Sequence, residues 1–147
     1  MSFLGKVKKK LRNGSWYPFY NTFYEKNNLD PHMILLESRS GKALESNILS
    51  LLKELCQEPY RSFTLVLSVH RDSENEIKEK LQKNSIQGVH FVRTGSVAYY
   101  HALSRAGYLV NDTSFPGRFI KKEGQIYLNT WHGTPLKKMG RDNRPEM

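Results

Sequence analysis

The chain has 147 residues, the length of one ordinary domain with a buried core. Its 23 lysines and arginines exceed its 14 aspartates and glutamates, so the formal net charge is +9 and attraction to polyanions is expected. One cysteine excludes an internal disulfide, no apolar run reaches the roughly 20 residues that span a bilayer, and nothing resembles a secretory signal, so the sequence predicts a cytoplasmic protein.

Residues 1–30 are predicted to form an N-terminal appendage. Apolar residues recur there at helical spacing under a basic face, and a dense aromatic group follows. Such a segment is typical of an interfacial membrane anchor. The alternatives are that the helix and aromatic residues pack on the domain, or that the segment binds RNA. The predicted membrane-contacting residues are Lys6, Lys8, Lys9, Lys10, Arg12 and Trp16.

Strands and helices alternate in residues 31–147. Short apolar runs, several rich in β-branched residues, predict five strands, at residues 33–36, 63–69, 88–92, 108–110 and 126–128. Apolar residues at helical spacing predict three helices, at residues 43–55, 73–83 and 95–105. Strands that alternate with helices of this length form a parallel sheet with right-handed crossovers. The fold is therefore predicted to be a Rossmann-like α/β domain with flanking helices.

The stretch after the last predicted strand has the strongest functional character. Residues 129–135 read Asn-Thr-Trp-His-Gly-Thr-Pro, in which Gly133 permits close backbone approach and the Thr-Pro pair suits the start of a helix. His132 thus follows the carboxyl end of a strand, where ligands bind in open α/β sheets. Lys137 and Lys138 add positive charge to a helix N-terminus, itself an anion site. This combination indicates proton transfer during phosphate chemistry.

The same stretch resembles the signature of a known family. Residues 131–138 read Trp-His-Gly-Thr-Pro-Leu-Lys-Lys, with Gly140 and Asp142 following. They closely resemble the CDP-glycerol glycerophosphotransferases, which build teichoic acids and related capsules in bacteria. The resemblance covers roughly residues 33–142. It implies the N-terminal, acceptor-side domain of a GT-B glycosyltransferase fold, without the donor-binding domain.

The resemblance implies a reaction as well as a fold. His132 would be the general base while a glycerol hydroxyl attacks the β-phosphate of CDP-glycerol and CMP leaves. The implied partners are CDP-glycerol or CDP-ribitol and a polyol-phosphate or lipid-linked acceptor, at the inner face of the cell membrane. We expect no cofactor and no nucleic acid, and no histidine and carboxylate pair has zinc spacing. Because half a cleft positions little, this chain alone is expected to be inactive.

The loop at residues 38–42, after the first predicted strand, is a candidate ligand loop. It offers hydroxyls, positive charge and backbone access, although a solvated turn is an equal alternative from these residues alone. The family resemblance favours a ligand loop, because its members open this domain with a similar pattern. The positions that match this pattern are Glu37, Ser38, Gly41, Lys42 and Asn47.

A second candidate cleft wall follows the fourth predicted strand. It comprises residues 111–113, with Arg118, Lys121 and Lys122 beyond. His70 ends the second predicted strand at the same edge and is a further candidate. The predicted substrate-binding residues are Ser38, Arg39, Gly41, Lys42, Asn111, Trp131, Gly133, Thr134, Lys137 and Lys138. The other histidines are expected to be structural or on the surface: His32, which precedes the first strand, His90 and His101.

Two alternatives come from other functional classes. One is a non-catalytic module, derived from the same family, that binds a membrane surface or an acidic polymer through its basic residues. The other is a small α/β domain that binds nucleic acid. The eight-residue signature argues against both as complete accounts.

Overall fold

The computed structural model describes residues 20, 23–117 and 119–131. Within these residues, five strands form one sheet, and every neighbouring pair is parallel. The strands are β1 (Asp30–Glu37), β2 (Thr64–Val69), β3 (Val89–Arg93), β4 (Ala106–Asn111) and β5 (Ile126–Asn129). Helices α1 (Ser46–Leu55), α2 (Glu74–Lys83) and α3 (Val97–Arg105) follow the first three strands. The predicted Rossmann-like α/β fold is confirmed.

The helices divide the core between the two faces of the sheet. Ile48 and Leu52 of α1 and Ile77 of α2 pack in one cluster with apolar residues of β1, β2 and β4. Tyr99 and Leu103 of α3 pack in a second cluster on the opposite face. Right-handed crossovers explain this division, because the chain moves outward from β1 to β3 and then returns past β1 to β4.

The first strand is buried on both sides. Ile34 and Leu36 belong to the α1–α2 core and Leu35 to the α3 core, and each side chain is at most 5% exposed. A parallel sheet covered by helices on both faces needs strands that are nearly continuously apolar. Full burial of each such side chain contributes roughly 1.5–3 kcal/mol to the stability of the fold. The buried side chains of β1 therefore stabilise the centre of the sheet.

The strand order β3-β2-β1-β4-β5 reverses direction at one point, between β1 and β4. Glu37 and Asn111, the last residues of these two strands, are paired in register. Loops that leave the carboxyl ends of strands at such a reversal diverge and form a crevice, the usual ligand site of open α/β sheets. The fold therefore defines where a site is expected.

Tyr20, the first residue described, is part of the α3-side core. It is 3% exposed, and its ring centroid lies 6.0–6.2 Å from those of Tyr24, Tyr100 and Phe119. Its hydroxyl donates to the carbonyl of Ile120 at 2.7 Å, and burial raises its pKa. At this aromatic residue the structure supports packing on the domain, the alternative to a surface anchor.

Several expected element limits shift by one to three residues in the structure, and two of these shifts are at β1 and α1. β1 begins at Asp30, which pairs with Ala106, so His32 lies within the strand and not before it. Helix α1 begins at Ser46 and not at residue 43, because Glu45 has an extended backbone (φ −129°, ψ 160°). Both shifts occur at element ends, where local sequence signals are weakest.

The described residues include neither a membrane-spanning helix nor a clustered metal site. None of the helices there has the length and apolarity needed to cross a membrane. Nor do those residues hold a group of three or more His, Cys, Asp and Glu side chains arranged to bind a metal ion.

Candidate functional site

A row of four polar side chains crosses the sheet where its strands end. Ser68 of β2, Glu37 of β1, Asn111 of β4 and Asn129 of β5 are register neighbours in that order. The first three each follow, by two positions, an apolar residue of the α3-side core, so their side chains face α3. These three are at most 1% exposed. The carboxyl edge of the sheet therefore has a buried polar layer.

Glu37 is the ionisable member of this row. Burial raises the pKa of Glu37, the nearby hydroxyls of Ser68 and Tyr99 lower it, and the carboxylate of Asp112 raises it further. Ser68 Oγ lies 2.8 Å from Thr94 Oγ1, which extends the polar layer to the loop after β3. The Glu37 carboxyl therefore retains its proton to a higher pH than a carboxyl in water.

The loop at residues 38–42 is fixed by a carboxylate from the neighbouring strand. Asp112, which directly follows β4, is 3% exposed. Its Oδ2 accepts a hydrogen bond from Ser38 Oγ at 2.7 Å, and its Oδ1 accepts one from the Arg39 N–H at 2.8 Å. Ser38 Oγ also accepts a hydrogen bond from the Glu45 N–H at 3.3 Å. Asp112 thus connects the start of the loop to the residue that leads into α1.

Three successive residues of this loop have a left-handed backbone. The φ angles are 48° at Arg39, 55° at Ser40 and 78° at Gly41. This conformation costs roughly 1–2 kcal/mol for a residue other than glycine. A Cβ at Gly41 would lie 2.1 Å from Thr94 Oγ1, and the Gly41 carbonyl accepts a hydrogen bond from the His70 N–H at 2.6 Å. Neighbouring strand ends therefore hold the loop in an unfavourable shape, and His70 lies beside it.

The chain leaving β5 is held by two asparagine side chains. Asn129 Oδ1 accepts a hydrogen bond from the Trp131 N–H at 2.8 Å, and its Nδ2 donates to the Thr113 carbonyl at 2.6 Å. Asn47, in the first turn of α1, donates through Nδ2 to the carbonyls of Thr130 and Trp131, both at 3.3 Å. Trp131 also has a left-handed backbone, with φ of 51°. The end of β5 and the start of α1 are therefore in contact.

Three of the predicted substrate-binding residues are exposed at this edge: Arg39, Lys42 and Trp131. The Arg39 Nε lies 3.3 Å from Glu45 Oε2 in an exposed ion pair. Surface ion pairs of this kind stabilise a fold by about 1 kcal/mol or less. The Arg39 guanidinium can therefore readily exchange the Glu45 carboxylate for another anion.

Three further predicted residues are buried at the same edge: Ser38, Gly41 and Asn111. The Asn111 side chain accepts a hydrogen bond from the Tyr127 hydroxyl at 2.9 Å, and its carbonyl accepts one from the Thr130 N–H at 2.8 Å. These residues hold the loops in place, and their contact with a substrate stays a prediction.

The remaining predicted residues lie outside the described residues. They are His132, Gly133, Thr134, Lys137 and Lys138 at one end, and Lys6, Lys8, Lys9, Lys10, Arg12 and Trp16 at the other. His132 is bonded directly to Trp131, and consecutive Cα atoms are about 3.8 Å apart. The chain therefore enters the signature at this sheet edge.

Lys121 and Lys122 do not join the cleft wall predicted for them. Lys121 Nζ donates to the Gln125 carbonyl at 2.8 Å. Lys122 Nζ donates to the Asn27 carbonyl and lies 5.3 Å from the centroid of the Tyr24 ring. Gln125 in turn donates to carbonyls at the carboxyl end of α3, which is the opposite edge of the sheet. Arg118 lies outside the described residues.

Three contributors to the polar layer were missed from the sequence: Tyr99, Tyr127 and Asn129. For Asn129 a signal exists, because it is a polar residue at the end of an apolar strand and beside the signature. Tyr99 and Tyr127 carry no such signal. Only their tertiary neighbours, Glu37 for Tyr99 and Asn111 for Tyr127, show that their hydroxyls reach the site.

The family model and the relatives that match this sequence belong to the same class of transferase. The chain matches the family model described as CDP-Glycerol:Poly(glycerophosphate) glycerophosphotransferase over residues 19–147. It is 31% identical over 123 residues to the teichoic acid poly(glycerol phosphate) polymerase of Staphylococcus epidermidis, covering 84% of this chain and 16% of the relative. Identity to the teichoic acid glycerol-phosphate transferase of Staphylococcus aureus is 28% over 137 residues, covering 92% of this chain and 33% of the relative.

Comparison with solved structures agrees. The wall teichoic acid polymerase TagF matches with a TM-score of 0.70 at 26% identity, covering 96% of this chain and 32% of TagF. A TagF variant soaked with CDPG matches with a TM-score of 0.68 at 26% identity, covering 98% and 35%. TagF is a GT-B-type glycosyltransferase, so the predicted relation to a domain of that class is confirmed. The chain spans about a third of TagF. It spans 16% of the Staphylococcus epidermidis polymerase and 33% of the Staphylococcus aureus transferase.

Proposed function

Because this chain belongs to the CDP-glycerol:poly(glycerophosphate) glycerophosphotransferase family, we propose that it forms the acceptor-side part of such an enzyme. The enzyme would transfer glycerol phosphate from CDP-glycerol, or ribitol phosphate from CDP-ribitol, to a teichoic acid or capsule acceptor. The matched relatives are teichoic acid glycerol-phosphate polymerases and transferases, which supports this class of reaction.

The contact between α1 and the end of β5 is the observation that supports the proposal most directly. Asn47 Nδ2 lies 3.3 Å from the carbonyls of Thr130 and Trp131, the two residues before His132. This contact brings the start of the signature beside the first turn of α1 and the loop at residues 38–42, which carries two exposed cations. We propose that His132, the next residue along the chain, acts beside these cations and this helix N-terminus, a setting that suits chemistry on a phosphate.

In the proposed reaction, His132 is the general base. It accepts the proton of an acceptor hydroxyl as that oxygen attacks the β-phosphate of CDP-glycerol; a P–O bond forms, the bond to the CMP oxygen breaks, and CMP leaves. Imidazole suits this step because it is largely neutral near pH 7. Gly133, Thr134, Lys137 and Lys138 follow and are proposed to bind the phosphate oxygens.

The donor site is proposed to come from a second domain. Phosphoryl transfer depends mainly on positioning and charge from both walls of a cleft, and the described residues are proposed to form one of these walls. We therefore expect this chain by itself to release little or no CMP. The basic N-terminal segment is proposed to bring the enzyme to its acceptor at the anionic inner face of the cell membrane.

A chimeric enzyme tests the proposal. Residues 19–147 replace the matching part of the Staphylococcus epidermidis polymerase, and CMP release from CDP-glycerol is measured with a poly(glycerol phosphate) acceptor. We expect CMP release, and we expect His132→Ala to lower kcat by roughly a hundredfold or more. The matched control is His90→Ala, which removes an exposed histidine from β3 and should leave kcat unchanged.

Two results would contradict this proposal. A folded chimera without CMP release would argue against the transferase function, and equal rates in the His132→Ala and His90→Ala chimeras would remove the general-base role. The alternative function is a non-catalytic module that binds polyanions or a membrane surface, which the net charge of +9 favours. That alternative requires binding that falls with salt and survives His132→Ala.

A further inference from the structure

We propose that Asp112 is the positioning residue of the loop at residues 38–42. Its carboxylate holds the loop so that Arg39 and Lys42 are directed at the phosphates of the acceptor. The identity of the ligand rests on the proposed function, whereas the geometry rests on the described contacts.

Asp112 acts through the loop and not on the ligand. Its side chain is 3% exposed, and both carboxylate oxygens accept hydrogen bonds from the loop, one from Ser38 Oγ at 2.7 Å and one from the Arg39 N–H at 2.8 Å. Hydrogen bonds to a charged group are about twice as strong as those between neutral groups. A buried carboxylate with these contacts restrains the first residues of the loop.

The loop has an unfavourable backbone conformation that a restraint can maintain. Arg39 and Ser40 have φ of 48° and 55°, which residues with a side chain avoid unless their surroundings impose it. At the far end, the Gly41 carbonyl accepts a hydrogen bond from the His70 N–H at 2.6 Å. Two hydrogen bonds thus hold the left-handed residues, one to Asp112 at the start of the loop and one from His70 at its end. Without Asp112, Arg39 and Ser40 would relax to the right-handed backbone that they favour.

The loop that results carries two exposed cations at this sheet edge. Arg39 is the first left-handed residue, Lys42 follows the last one, and both are exposed. Asn47 of the following helix contacts the residues before His132. Changing the backbone at Arg39 and Ser40 would redirect the Arg39 side chain. A loop fixed before binding also loses less conformational entropy when the ligand arrives.

Charge and positioning give opposite expectations for the loss of Asp112. If the carboxylate affected a polyanion only through its charge, Asp112→Asn would tighten binding, because one negative charge is removed. If it positions the loop, Asp112→Asn weakens binding, because Asn has one acceptor oxygen and either Ser38 Oγ or the Arg39 N–H loses its partner. Asp72→Asn is the matched control. Asp72 lies in the loop after β2 at the same sheet edge, its side chain is 82% exposed, and its replacement changes the net charge equally.

The experiment measures affinity and loop order in the same variants of this chain. Isothermal titration calorimetry with a short poly(glycerol phosphate) oligomer gives the Kd, and amide hydrogen exchange gives the protection of the Arg39 N–H. We expect Asp112→Asn to raise both the Kd and the exchange rate by roughly tenfold or more. We expect Asp72→Asn to leave the exchange rate unchanged and the Kd unchanged or slightly lower. Circular dichroism establishes that both variants are folded.

Each contrary outcome has a distinct meaning. A Kd or exchange rate for Asp112→Asn that equals the Asp72→Asn value would overturn the positioning role while leaving the proposed function intact. No binding by the unsubstituted chain would overturn both. Should Asp112→Asn not fold, Ser38→Ala provides the same test, because it removes one donor to Asp112 without changing the charge. Unchanged Kd and Arg39 exchange in folded Ser38→Ala would overturn the proposal.

Discussion

At the scale of single residues, Glu37 shows how strand alternation can bury an acid. It is the last residue of β1, and its position two residues after Leu35 turns its side chain toward α3. Burial raises its pKa above the ordinary value of 4.5. The folded protein therefore binds a proton at Glu37 over a pH range in which the unfolded chain has released it, and this difference links stability to pH.

We predict that Glu37→Gln gains stability relative to the unsubstituted chain as pH rises. With a raised folded pKa, the contribution of Glu37 is fully present below the unfolded value of 4.5 and is lost as pH rises through the folded pKa. The slope in this window is at most about 1.4 kcal/mol per pH unit, and Gln does not titrate. Urea denaturation from about pH 5 to about pH 8 measures the difference in free energy of unfolding. Exposed Glu79→Gln controls for the loss of one negative charge, and parallel pH dependences in the two variants would refute the prediction.

At the scale of elements, the loop at residues 38–42 and the turn before β3 make a useful contrast. Both contain a glycine with a left-handed backbone, φ 78° at Gly41 and 73° at Gly88. A Cβ at Gly41 would lie 2.1 Å from Thr94 Oγ1 and 2.8 Å from the His70 nitrogen, whereas a Cβ at Gly88 would have no atom within 4 Å. A side chain would therefore cost left-handed backbone energy at both positions, whereas it would clash with neighbouring atoms only at Gly41.

We predict that Gly88→Ala lowers the free energy of unfolding by roughly 1–2 kcal/mol, the cost of the left-handed backbone alone. Gly41→Ala should lower it by about 1–3 kcal/mol more, because the strand ends that contact the new methyl group must move. Urea denaturation of both variants measures this difference. Equal losses would mean that the loop is not packed against the ends of β2 and β3 as described.

At the scale of the whole molecule, the sequence predicted the fold well and the site in part. Apolar patterns with periods of two and 3.6 residues are local features of a sequence, so the five strands and helices α1–α3 of the described residues were all predicted. The sheet edge was predictable too, because strand ends are visible in the sequence. The buried polar layer was not, since it depends on register pairs such as Glu37 with Ser68 and Asn111. Lys121 and Lys122 were misplaced because Gln125 directs their loop to the other edge.

The charge of the molecule gives a prediction for the N-terminal segment. We expect its basic residues to attract anionic membranes by about 1 kcal/mol each at moderate ionic strength. We therefore expect a lower partition coefficient onto phosphatidylglycerol vesicles, by roughly a hundredfold or more, when Gln replaces Lys6, Lys8, Lys9, Lys10 and Arg12. Sedimentation with the vesicles measures this coefficient. The control replaces the same number of exposed cations elsewhere: Lys26, Lys53, Arg71, Lys83 and Arg93. Equal reductions would show that net charge alone, and not this segment, governs the attraction.

The central place of β1 has a consequence for how the protein is made. A ribosome synthesises β1 first, yet its partner β4 begins only at Ala106, and Tyr20 donates to a carbonyl 100 residues later in the chain. Until that length has emerged, one edge of β1 is unpaired and its α3-side face is uncovered, a state prone to aggregation. Contacts between residues so distant in sequence also slow folding. Productive folding of this domain therefore waits for its last strands, which lead into the signature at residues 131–138.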